Sequence, residues 1–134
     1  MKTILIVDSD LGFAFWLGHA LDRAGYQALP ARSVADGISL IDQLKLVLTL
    51  LVIRASLPSV AAFAASLREQ FGPDFKVIGV IDQDSESGAL PWADAEALRP
   101  EHIDDIAEEM WLQRIRSLAV PERKNQAQKS IPLT

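Results

Sequence analysis

The chain has 134 residues, the length of one domain, with 49% hydrophobic and 23% charged residues, ordinary values for a globular fold. Eighteen acids against thirteen bases leave a net charge of −5, which repels phosphate backbones and argues against nucleic-acid binding by this domain. The absence of cysteine excludes a disulfide scaffold, thiolate metal ligands and a cysteine nucleophile together.

Thr3 to Val7 is an apolar run stopped by Asp8-Ser9-Asp10, the pattern of a strand buried on both faces. Leu11 to Ala24 places Phe13, Trp16, Leu17, Ala20, Leu21 and Ala24 on one helical face, with Asp10 as N-cap and Gly25 as C-cap. Tyr26 to Leu29 predicts a short second strand stopped by Pro30. Ser33 caps a second helix through Leu44, with Val34, Ile38 and Ile41 inward, and Thr49 to Ile53 is a third strand. After Leu57-Pro58, Ser59 is placed to cap a helix through Gln70 that turns Val60, Phe63, Ala64 and Leu67 to one side. Gly72-Pro73 ends it, and Val77 to Ile81 is the fourth strand. Asp82 to Trp92 is polar and carries Gly88 and Pro91, so a fourth helix is shortened or missing there. Ala95 to Leu98 predicts a fifth strand, and Pro100 opens a last helix through Leu118. That helix carries its acids early (Glu101, Asp104, Asp105, Glu108, Glu109) and Arg114 and Arg116 late, which complements the helix dipole. From Pro121 the sequence is polar and aperiodic. The expected organisation is a domain over residues 1–120 and a polar tail or linker stub over 121–134.

Apolar strands alternating with helices predict an α/β fold: a doubly wound, five-stranded parallel sheet in the order 2-1-3-4-5. Ligands in such sheets bind beyond the carboxyl ends of the strands, here Asp8-Ser9-Asp10, Arg54, Ile81-Asp82 and Arg99-Pro100. The first turn, Asp8-Ser9-Asp10-Leu11-Gly12, lacks the glycines that let backbone amides approach a pyrophosphate, and its acids repel one. No P-loop and no Gly-x-Ser-x-Gly elbow occurs, and His19 and His102 share no ligand spacing. The longest apolar stretch, Leu46 to Ile53, is too short to span a bilayer, so the expectation is a cytoplasmic protein with no membrane role. On the last helix Ile103, Ile106, Ala107 and Met110 form one apolar strip, and Trp111, Ile115 and Leu118 form a second, offset one. The second strip is either the edge of a wide core stripe or a partner surface anchored by Trp111.

Four features in this order resemble the receiver domain of two-component response regulators, the CheY-like superfamily. They are Ile4-Leu5-Ile6-Val7-Asp8-Ser9-Asp10, the helix end Ala24-Gly25-Tyr26, Thr49-Leu50-Leu51-Val52-Ile53-Arg54 with Leu57-Pro58 after it, and Arg99-Pro100. The resemblance implies a flavodoxin-like receiver architecture over residues 1–118 and, in the family, aspartyl phosphorylation assisted by Mg2+. Carried over by position, the family's acidic pair falls on Asp8 and Ser9 and its nucleophile on Arg54. Its hydroxyl residue falls on Ile81 and its lysine on Arg99. Arginine offers no lone pair to phosphorus and repels Mg2+, and isoleucine has no hydroxyl for a phosphoryl oxygen. The resemblance therefore implies a receiver without catalytic residues, metal ligands or cofactor. It would act in phosphorelay signalling through protein–protein contact. Its expected partners are a signalling protein such as a histidine kinase or output domain, or a second copy of itself. The alternatives are a receiver that uses Asp8 or Asp10 as an unusual acceptor, and a small-anion-binding domain that uses Arg54 and Arg99. Arg54 itself either pairs with Asp8, fixing one conformation, or points into water.

Overall fold

Five runs of the sequence become strands in the computed structural model, which describes residues 2–82 and 90–119. They are β1 (Thr3–Val7), β2 (Gln27–Ala31), β3 (Leu50–Arg54), β4 (Lys76–Ile81) and β5 (Ala95–Leu98). All pairings are parallel and the order is β2-β1-β3-β4-β5, as the alternation of elements predicts. The central strands are apolar throughout because both faces of the sheet are covered: every residue of β1 is buried, as are the first four of β3.

Alternate side chains feed two cores. Ile4, Ile6, Leu50, Val52, Ile78 and Val80 meet α1 (Leu11–Arg23) and α4 (Asp105–Ala119). Leu5, Val7, Leu51, Ile53 and Val77 meet α2 (Val34–Leu44) and α3 (Val60–Phe71). On the first face Trp111 of α4 lies edge-on to Phe13 of α1, with ring centroids 5.5 Å apart. On the second, Gly37 lets α2 come down on the sheet, since a Cβ there would stand 3.3 Å from Leu5 Cδ2.

The structure departs from the sequence expectations at several points. Pro30 does not stop the second strand but lies inside it, which is allowed because β2 is an edge strand. Ser33 caps α2 through a bond from Asp36 N at 3.1 Å, whereas Ser59 takes a left-handed φ of 68° and caps nothing with its side chain. Ile38 is exposed rather than inward.

The last helix starts at Asp105, not at Pro100. Asp104 caps it, accepting from Ala107 N at 2.8 Å. Only one of its two strips is buried. Trp111 and Ile115 are buried, together with Leu112 and Ala119, and Leu118 packs at the edge of the same core. Ile103, Ile106 and Met110 face outward. The strip that holds the tryptophan removes more apolar area from water and so takes the core side, while Ile103 falls outside the helix altogether. Trp111, Ile115 and Leu118 are therefore core residues and not a partner surface.

No helix lies between β4 and β5 among the described residues; 83–89 fall outside them, as do 120–134, where the tail is expected. What covers β4 on that side is a short turn. Leu90 and Trp92 lie over Gly79, where an added Cβ would stand 2.6 Å from Leu90 Cδ1. Asp94 holds the turn by accepting from Val77 N at 2.8 Å and from Arg68 of α3 at 3.0 Å. Among the described residues no helix is long and apolar enough to cross a membrane.

Candidate functional site

The carboxyl ends of β1, β3, β4 and β5 deliver Asp8, Arg54, Asp82 and Arg99 in spatial order, so the charges alternate across the sheet. Asp8 is fully buried. Its Oδ1 accepts from Asp10 N at 2.9 Å and, at the long limit of 3.5 Å, from Arg54 Nη1. Arg54 Nη2 donates to Asp82 Oδ2 at 2.5 Å, and its Nε donates to Ser56 Oγ at 3.3 Å. Arg99 Nη2 lies 3.1 Å from Asp82 Oδ1, an ion pair by distance without hydrogen-bond alignment. Arg99 Nη1 closes the chain on Asp10 Oδ2. Asp10 meanwhile uses Oδ1 to cap α1, accepting from Phe13 N at 3.2 Å. Three carboxylates thus share two guanidiniums, and the network joins four strand ends to the start of α1.

Asp8 is the least compensated member. Its Oδ2 is buried and has no hydrogen-bond partner among the described residues. Burial pushes its carboxyl above the usual aspartate value, and the nearby Asp10 charge adds to the rise. The Asp10 N–H and the guanidiniums of Arg54 and Arg99 pull the other way without cancelling it.

The donor set does not fit the Mg2+ that the resemblance implies for its family. A divalent cation needs several free oxygens around one point. Here Asp8 Oδ1 is taken by an N–H and a guanidinium, and Asp10 and Asp82 both face Arg99. The Arg54 charge, 3.5 Å from Asp8, stands against a second cation at that carboxylate. Nor does the network supply a nucleophile at the end of β3, because a guanidinium has no lone pair to give.

Of the five positions singled out from sequence, Asp8, Arg54 and Arg99 join one network. Ser9 is exposed on the turn, outside it. Ile81 contributes its carbonyl, which accepts from Arg99 N at 2.9 Å, while its side chain lines a cavity of about 520 Å³ between β5 and α4. Sequence reasoning missed Asp82 and Ser56 as the other partners of Arg54. Asp82 was legible in principle: it follows β4 directly, and the strand order sets that end beside Arg54.

The fold is that of response regulator receiver domains. A receiver domain protein (CheY-like) from Methanospirillum hungatei JF-1 superposes with a TM-score of 0.72 at 21% identity, over 93% of this chain and 98% of that one. A two-component response regulator from Clostridium difficile gives 0.71 at 13% identity, over 91% and 98%. NtrX from Brucella abortus gives 0.72 at 17% identity over 96% of this chain, which matches 29% of NtrX. No protein-family model matches the sequence, and no curated protein matches it significantly. At such identities the likeness is one of architecture.

Proposed function

We propose that this chain is a receiver-type module of two-component signalling that works in the cytoplasm by protein–protein contact and takes up no phosphoryl group. One observation carries the reading. The end of β3, where the resemblance places a phosphoaccepting carboxylate, presents the Arg54 guanidinium, already engaged with Asp8 and Asp82. The only buried carboxylate of the network, Asp8, is closed to solvent and has its Oδ1 engaged by the Asp10 N–H and by Arg54, so it is poorly placed to attack a phosphodonor. Asp10 is engaged through both oxygens, by the helix cap and by Arg99.

In this reading Arg54 substitutes for the metal and the acceptor together and holds the ends of β1, β3 and β4 in one arrangement. The module then presents a fixed surface to a kinase, an output domain or a second copy, instead of switching. Intact mass measured after incubation with a small-molecule phosphodonor and Mg2+ tests this. The mass should stay unchanged; a gain of one phosphoryl group, mapped to Asp8 or Asp10, overturns the proposal. A small-anion site is the weaker reading, since both guanidiniums already face carboxylates. Thermal shift against phosphate, with Arg54→Ala as control, should show no Arg54-dependent stabilisation.

A further inference from the structure

Among the described helices α2 is the least buried. It buries only Gly37 and Ile41, whereas α1 buries five residues and α3 and α4 four each. Between α2 and α3 runs a groove of about 1010 Å³, with Ile41, Phe63 and Leu67 as its buried floor. Ile38, Asp42, Lys45 and Val47 line it from the α2 side. The first three share one helical face at i, i+4 and i+7, and Val47 follows in the turn to β3. All four are exposed, Ile38 by 52% and Val47 by 76%. Neither Asp42 nor Lys45 is held by an ion pair among the described residues.

Along this rim the order is apolar, acid, base, apolar. Read backwards, the same order places each apolar residue opposite an apolar one and each charge opposite its counter-charge. We propose that the rim is a self-association surface, on which α2 of a second copy packs antiparallel about a two-fold axis passing beside Asp42 and Lys45. Each Asp42 then faces the other copy's Lys45, and each Ile38 lies against the other copy's Val47. A two-fold contact needs this kind of self-complementarity, because every residue pair in it occurs twice. One axis serves both pairs: the midpoint of positions 38 and 47 and that of 42 and 45 differ by one residue, about 1.5 Å along a helix.

The same features disfavour other occupants. Among the described residues no buried polar side chain lies in the floor to orient a small ligand. Opposite charges side by side on the rim leave no field of one sign to attract a strongly charged partner. A contact made by one helix of each copy and the groove beside it is small for a protein interface, so the dimer is expected to be weak and concentration-dependent.

None of the rim residues belongs to the network of Asp8, Arg54, Asp82 and Arg99, so the inference stands or falls separately from the phosphodonor result. Sedimentation velocity of the full chain over roughly a hundredfold range of concentration should show a reversible monomer–dimer equilibrium. Asp42→Lys and Lys45→Asp should each weaken it at least about tenfold, because like charges then face each other twice. Aspartate is accepted at position 45 despite the left-handed φ of 52°. Mixed in equal amounts, the two variants should dimerise about as well as the wild type, since their heterodimer pairs opposite charges at both contacts. That mutual rescue also shows that each variant is folded. A chain that stays monomeric throughout overturns the inference, and so do variants that fail to rescue each other. A dimer indifferent to both substitutions but lost with Ile106→Asp overturns it too, by placing the contact on the outer face of α4.

Discussion

The carboxyl end of the sheet and the outer face of α4 are satisfied to opposite degrees. At the first, three acids and two arginines drawn from separate elements meet each other within the fold. At the second, Ile103, Ile106 and Met110 are left facing water. The difference follows from what each omission costs. An unpaired buried charge is worth several kcal/mol, whereas an exposed methylene forgoes only about 0.8 kcal/mol of burial. A folding chain tolerates the second and not the first. The pocket is therefore inward-looking chemistry, and the helix face is where contact with something else is still to be gained.

The largest expected effect tests α4 itself. Trp111→Ala, on the buried face, should cost about 3–5 kcal/mol in denaturant unfolding. Next comes Arg54→Ala, which strands Asp8 and Asp82; about 3 kcal/mol is expected from breaking a largely buried pair. A loss below about 1 kcal/mol would place Arg54 among surface pairs and end the contrast drawn above.

Asp8 adds a pH signature. Its folded-state carboxyl titrates above 3.8, so between 3.8 and that raised value the folded chain holds a proton that the unfolded chain has lost. The contribution of Asp8 to stability is therefore full below 3.8 and lost as pH rises through the folded value. Unfolding curves across that window should show the wild type losing ground to Asp8→Asn as pH rises; parallel curves would contradict the burial argument. Arg99→Ala, at a more exposed pair, should cost about 1 kcal/mol. Smallest of all, Ile106→Ser should move stability by no more than about 0.5 kcal/mol.

Much of this was legible in the sequence because backbone pattern is local. The unbroken apolar runs at β1 and β3 announced strands buried on both sides, and Asp10 and Ser33 announced caps through side chains that reach the next turn. What misled was competition between equal local signals. α4 carries two apolar strips at helical spacing, and which one is buried is settled by packing against α1 and the sheet, where Trp111 meets Phe13, and not by spacing along the helix. Ser59 has the chemistry of a cap but sits in a left-handed turn that aims its hydroxyl elsewhere. Arg54 was identified by position, yet its nearest partner, Asp82, follows another strand, and only the sheet order makes the two neighbours.

Pro30 has a consequence at the boundary of the molecule. In β2 the N–H of Gln27 donates to Lys2 and the carbonyl of Ala31 accepts from Asp8, so the intervening residues Ala28 and Pro30 turn their backbone outward. One of those two outward positions has no hydrogen to give. A stray strand that tried to lengthen the sheet sideways would find a gap in the ladder there, and at the opposite edge only the four residues of β5. The proline thus acts as a stop against aggregation, keeping an otherwise highly apolar sheet from recruiting its neighbours in a crowded solution.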